Sequence, residues 1–178
     1  MKLLLAICAV FSIIPLTVFA CGPSPQKVVR EVVIKADSAK VWAIVGNFSG
    51  MHKWHPAVRD SVVESRPDAQ GDESTYRTLM LDNGGKVVEK RRETQGDEMK
   101  LGILMEQGDI AVSNYSDAIT VKPGQHMGES IATWTGRFNN KANAMQAPAG
   151  QDNAAAVAAV ERFYDEGLAK LKRVVETH

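Results

Sequence analysis

The segment 152–176 constrains the fold more than any other stretch, because nothing else in the chain offers so long a run of one-sided apolar residues. Val157, Val160, Tyr164, Leu168, Leu171 and Val175 recur there at steps of three or four residues, the spacing of a single helix face. Glu161, Arg162, Asp165, Glu166, Lys170, Lys172 and Arg173 fill the remaining surface. Asp152 or Asn153 serves as the N-cap, since either side chain accepts from the free N–H groups of a first turn. Lys170, Lys172 and Arg173 lie toward the end where the helix dipole favours positive charge. Such a helix needs a surface to cover, and the preceding residues supply one.

Those residues read mostly as strands. The β-branched run 27–36 is the first, although the doublets Val28-Val29 and Val32-Val33 leave its inward face ambiguous. Asp37 and Ser38 are N-cap candidates for a short helix over 39–45, with Val41, Trp42 and Val45 on its apolar side and Gly46 at its end. Residues 48–56, with Met51 and Trp54, fit a second helical turn. Strands are then expected over 58–65, 74–81, 86–93, 99–106, 112–121 and 129–138. In 74–81, Arg77, Leu79 and Leu81 share one face and Tyr76, Thr78 and Met80 the other; in 129–138, Ala132, Trp134, Gly136 and Phe138 share a side. Asp82-Asn83-Gly84-Gly85 predicts a hairpin with a type I′ turn, and Gln95-Gly96-Asp97 predicts another turn. The stretch 139–151 is polar and patternless, a length that in a compact domain often carries function or motion.

Successive hairpins make an antiparallel sheet, and one long amphipathic helix can pack across its concave face, an α+β arrangement of about seven strands. A curved sheet around a helix often encloses apolar space. Trp42, Trp54, Tyr76, Met80, Met99, Met105, Tyr115, Trp134, Phe138 and Phe163 are candidate walls, with ordinary core packing as the alternative for each.

Residues 1–20 read as a secretory signal peptide, with Lys2 at its start, an apolar run broken by Pro15, and Val18 and Ala20 before the expected cut. The remainder is a leader over 21–26 and one domain over 27–178, long enough to bury a core. Of the two cysteines, Cys8 leaves with the signal, which excludes a disulfide within the mature monomer. Cys21 becomes the first residue and a candidate for lipidation, in a sequence resembling a lipobox apart from the bulky Phe19. The chain carries 21 basic and 21 acidic residues, and no charged block marks it for nucleic acid.

Few constellations offer chemistry. His52 and His55 are spaced to share a helical face, but no further ligand of matching spacing completes a metal site. There is no Gly-x-Ser-x-Gly elbow, no P-loop, no dinucleotide fingerprint and no Cys-x-x-Cys-His haem site. Glu89 is the acid of most interest. With Val88 outward, it points into the concave face beside Val87 and opposite Arg77, where a buried carboxylate can bind a polar head or act as a base. A solvated strand end with Lys90, Arg91, Arg92 and Glu93 is the alternative.

The run Lys40-Val41-Trp42-Ala43-Ile44-Val45-Gly46-Asn47-Phe48, followed by His52-Lys53-Trp54-His55-Pro56-Ala57-Val58, resembles the helix-grip superfamily of polyketide cyclase-like and lipid-transfer (START-type) proteins. Gly22-Pro23-Ser24-Pro25-Gln26-Lys27-Val28, the 53–57 segment, Val112-Ser113-Asn114-Tyr115-Ser116 and Thr120-Val121-Lys122-Pro123 resemble its MxaD-type periplasmic subgroup, encoded with methanol dehydrogenase in methylotrophic bacteria. Cys21 and a 139–151 loop that is not proline-rich depart from that subgroup. The resemblance implies an exported, non-catalytic accessory protein that assists methanol dehydrogenase or its electron transfer to cytochrome c, without a cofactor. Lys53, Trp54, His55, Asn114 and Tyr115 are then the candidate partner contacts. The fold itself implies a carrier for a small hydrophobic ligand, with Trp42, Trp54, Tyr76, Glu89, Tyr115, Trp134, Phe138 and Phe163 around the cavity. A cyclase- or hydrolase-like enzyme using Glu89 as base is the third reading.

Overall fold

The computed structural model describes residues 22–93 and 98–177. The expected signal peptide, Cys21 and the expected turn at Gln95-Gly96-Asp97 lie outside them. The elements run β1 (Gln26–Ile34), α1 (Ser38–Val45), a 3-10 turn (Met51–Lys53), β2 (Val58–Pro67), β3 (Glu73–Leu81), β4 (Lys86–Arg92), β5 (Lys100–Gly108), β6 (Val112–Pro123), β7 (Ser130–Asn140) and α2 (Asn153–Thr177). The seven strands form one antiparallel sheet in the order β1-β7-β6-β5-β4-β3-β2. From β1 the chain crosses to the opposite edge through α1 and the 3-10 turn. It then returns by successive hairpins until β7 pairs with β1. This is the expected α+β arrangement, a sheet with a long C-terminal helix packed on it. Among the described residues no helix is long and apolar enough to cross a membrane.

Local sequence explains α2 well. Asp152 caps it, its Oδ1 accepting the Ala155 N–H at 2.8 Å. Val160, Tyr164, Leu168, Leu171 and Val175 are buried, Ala156 and Gly167 complete the stripe, and Val157 sits half-exposed at its border. Burying each aliphatic side chain contributes about 1.5–3 kcal/mol. The helix packs on β1 and β7. Arg30 of β1 meets Glu161 at 2.7 Å and Asp165 at 3.1 Å. Lys172 Nζ donates to the Val33 carbonyl, and Glu176 accepts the Lys35 N–H, both at 2.8 Å. This docking resolves the β1 doublets: Val28 and Ile34 turn inward, Val32 is half-buried, and Val29 and Val33 face out.

Two turns of chain differ from simple expectation. The β3–β4 connection is not a type I′ turn, because Asn83 keeps negative φ and only Gly84 is positive, at 87°. Gly84 N–H bonds to Leu81 O and Leu81 N–H to Gly85 O, the pattern of a three-residue loop in which glycine alone takes the left-handed position. In β6 the register with β7 slips between Ser113 and Ser116, and Asn114 adopts φ 47°. Val112 is inward before this bulge, and Tyr115, Asp117, Ile119 and Val121 are inward after it. The bulge re-aims the strand. Asn tolerates the conformation that a branched residue would resist.

Candidate functional site

A cavity of about 550 Å³ opens between β3, β4, β6 and α2, a size typical of small-molecule sites. Leu79, Leu81, Val87, Val112, Val160 and Phe163 give it apolar walls, and Glu89, Tyr115 and Tyr164 bring polar atoms to it. Asp82 and Asn83 of the β3–β4 loop, Asp109 after β5, and Arg162 and Glu166 of α2 also border the space. Most of the walls follow from strand or helix periodicity: odd positions of β3 and β4, the re-phased β6, and the buried stripe of α2, with half-buried Phe163 beside that stripe.

Behind the cavity lie two buried polar groups. Arg77 Nε donates to Glu89 Oε2, and Arg77 donates from its Nη1 to the Phe48 carbonyl at 3.1 Å. Both side chains are almost fully enclosed, so the pair survives only through its mutual neutralisation and hydrogen bonding. The second group centres on Asp117. Its Oδ2 accepts from the Tyr115 hydroxyl and from Trp134 Nε1 at 2.8 Å, while the Tyr115 and Tyr164 hydroxyls meet at 2.6 Å. Burial, and then the Glu89 charge, push the Asp117 carboxyl up to about 7, against the pull of its Tyr115 and Trp134 hydrogen bonds. Burial likewise raises the Tyr115 and Tyr164 hydroxyls, which stay protonated. Gly136 makes this group possible: a Cβ there would run into the Tyr164 hydroxyl.

The structure distributes the expected residues unevenly. Glu89, Tyr115 and Phe163 line the cavity. Trp42, Trp54, Tyr76, Trp134 and Phe138 do not, for separate reasons. Trp42 is half-buried on α1 and lies over Gly46. Tyr76 is on the opposite face of β3, under the Arg66 guanidinium at 3.7 Å. Trp134 stacks on Tyr164 at 4.4 Å, and with Trp54 it lines a separate void of about 10 Å³. Phe138 packs against Tyr115. Of the further wall candidates, Met99 and Met105 are partly buried against the core, and Met80 shares the outer side of β3.

The expected partner surface is largely internal. Trp54, His55 and Tyr115 are 3%, 0% and 5% exposed, so their side chains cannot meet another protein; Lys53 and Asn114 remain at the surface. His55 serves the interior. Its Nε2–H donates to the Phe163 carbonyl at 3.0 Å and its Nδ1 accepts the Ala57 N–H at 3.2 Å, which assigns the neutral tautomer. Burial holds its pKa down to about 3. It stacks on Phe163 at 3.9 Å and joins the chain before β2 to α2. Among the described residues no group of three His, Cys, Asp or Glu side chains could hold a metal ion. Tyr164 and Asp117 escaped the sequence reading as site residues. Tyr164 was visible only as part of a helix stripe, and the inward aim of Asp117 depends on the β6 bulge.

Comparison with known proteins places this architecture. Among solved structures, XoxI of Bacillus cereus superposes with a TM-score of 0.67 at 20% identity, over 84% of this chain and 94% of its own. A START superfamily protein of Mycobacterium smegmatis gives 0.65 at 14% identity, over 85% and 97%. The ZhuI aromatase/cyclase of a Streptomyces species gives 0.63 at 16% identity, over 86% and 94%. At these identities the likeness concerns the fold. Curated proteins give no sequence match. The model of the family described as polyketide cyclase/dehydrase and lipid transport matches residues 25–176, nearly all the described chain, and the protein therefore belongs to that family.

Proposed function

We propose that the protein binds a small, largely apolar molecule in the cavity between sheet and α2, as a carrier or sensor and not as a catalyst. One observation carries this reading: about 550 Å³ of space walled by aliphatic and aromatic side chains, with a few convergent polar atoms. A protein core is ordinarily packed nearly solid, so a space this large represents burial forgone. The family's description, which includes lipid transport, supports the same reading. The test is uptake of a neutral apolar fluorophore such as N-phenyl-1-naphthylamine, together with solvent extraction and mass spectrometry of the purified protein. Saturable uptake abolished by Val160→Trp, which fills the cavity from α2, is expected. No uptake and no extracted ligand would refute it.

A finer reading makes the protein an exported, periplasmic accessory of methanol dehydrogenase and its cytochrome c. Its support is the resemblance of the 53–57 and 112–116 segments to the MxaD-type subgroup. With Trp54, His55 and Tyr115 inside, any docking surface must centre on Lys53 and Asn114. Cytochrome reduction by methanol dehydrogenase, with and without the protein, tests it: acceleration lost on Lys53→Glu is expected, and no effect across a range of salt would remove it.

A further inference from the structure

Most of the charged groups around the cavity are acids. Glu89 is buried and lines the space, yet only its Oε2 is engaged, by Arg77 Nε; its Oε1 makes no hydrogen bond to the described residues. With Asp117 ionised, the Tyr115 hydroxyl donates to its Oδ2, and the Tyr164 hydroxyl, 2.6 Å from Tyr115 and 3.5 Å from Asp117, also turns its proton inward. A hydroxyl has one proton and two lone pairs. In that state what Tyr164 can still offer a ligand is an acceptor. Charge points the same way. The lining carries the carboxylates of Asp82, Glu89, Asp109 and Glu166 against the one guanidinium of Arg162. Arg77 donates to Glu89 and the Phe48 carbonyl and does not line the space.

Resting on the cavity reading above, we infer that the ligand is an apolar molecule whose polar end is a cationic hydrogen-bond donor, an amine, and that the site discriminates against carboxylates. An ammonium group reaching Glu89 Oε1 satisfies the free acceptor with a charge-assisted bond. A carboxylate there would meet a like charge, at a cost that grows as water is excluded. An alcohol supplies the donor without the charge and falls between. The rim acids Asp82, Asp109 and Glu166 extend the preference outward, favouring approach of a cation.

A matched series tests this directly: decylamine, 1-decanol and decanoate share one alkyl body and differ only in the end group. Titration calorimetry at neutral pH and low salt is expected to rank them in that order, with decylamine about tenfold or more tighter than decanoate. Glu89→Gln keeps a carbonyl oxygen for Arg77 while removing the charge, and should shrink that ratio to near unity. Because Glu89 is buried, the exposed double substitution Asp82→Asn with Glu166→Gln is a second arm; it should narrow the ratio about threefold. Decanoate binding as tightly as decylamine would overturn the inference and leave cavity binding standing. Uptake of the neutral fluorophore without binding of any decyl compound would also overturn it. Failure of the fluorophore and all three compounds would remove the underlying reading as well.

Discussion

Replacing Gly167 by alanine sets two physical effects of opposite sign against each other. Gly167 lies inside α2, where alanine is intrinsically better than glycine by about 1 kcal/mol. A Cβ at this position would lie 2.5 Å from His55 Cδ2, 2.7 Å from His55 Nε2 and 3.0 Å from Trp134 Cζ3. The imidazole cannot swing aside cheaply. Both ring nitrogens are hydrogen-bonded, one face stacks on Phe163, and Trp134 meets it edge-on at 5.9 Å. Overpacking of this kind costs about 1–3 kcal/mol. Displacing the ring orphans its buried Nε2–H, a further cost of about 1–3 kcal/mol. Against the propensity gain, Gly167→Ala should lose about 1–5 kcal/mol. Urea unfolding followed by tryptophan fluorescence and far-ultraviolet dichroism measures it. The sharper arm repeats the substitution in a His55→Ala background, where the obstruction is gone and alanine should now stabilise the helix. A Gly167→Ala midpoint at or above that of the parent, or the same loss in both backgrounds, would show that the close approach of His55 to α2 is not what selects glycine.

The pH dependence of stability contains two opposed contributions. His55 is held down to about 3 from 6.5, so the unfolded chain takes its proton first; that stability is complete above pH 6.5 and falls toward pH 3. Asp117 is raised to about 7 from 3.8, so the folded chain takes its proton first; that stability is complete below pH 3.8 and falls as pH rises through 7. Between pH 6.5 and 4 the two slopes offset, each up to about 1.4 kcal/mol per pH unit. Asp117→Asn removes one of them, and its urea midpoint should fall on acidification more steeply than the parent's; parallel profiles would contradict this. Arg77→Met leaves Glu89 buried without its partner and should cost about 3–5 kcal/mol. Arg77→Met with Glu89→Leu should recover most of that loss in the same unfolding assay, and failure to recover would mean the pair is not the main cost. Gly136→Ala drives a methyl into the Tyr164 hydroxyl and should lower the melting temperature. Adding Tyr164→Phe should restore most of it, and no rescue would place the strain elsewhere.

Much of the scaffold was written locally. The α2 stripe, its Asp152 cap, the alternation of β7 and the order of hairpins all follow from periodicity and end-capping, which act between residues close in sequence. The inward aim of Glu89 toward Arg77 also follows from alternation, because paired residues of neighbouring strands share a face. Arg77 and Glu89 are directly opposite in the β3–β4 register. The wall aromatics were less legible. Size and apolarity mark Trp54, Trp134 and Phe138 as buried, but whether a buried ring faces a cavity or another ring depends on neighbours distant in sequence.

What the sequence by itself determined, then, was the α+β element order, the helix that the sheet covers and the family to which the chain belongs. Tertiary structure decided how the site is assembled around Glu89. The β6 bulge at Asn114 shifted the strand's phase and turned Tyr115 and Asp117 inward. Docking of α2 then brought Tyr164 to Tyr115 across 49 positions of sequence and seated His55 on Gly167. Periodicity fixes which face of an element is apolar, but it carries no information about which faces meet. That is set by the packing of the whole chain, and it is there that the cavity and its polar end arise.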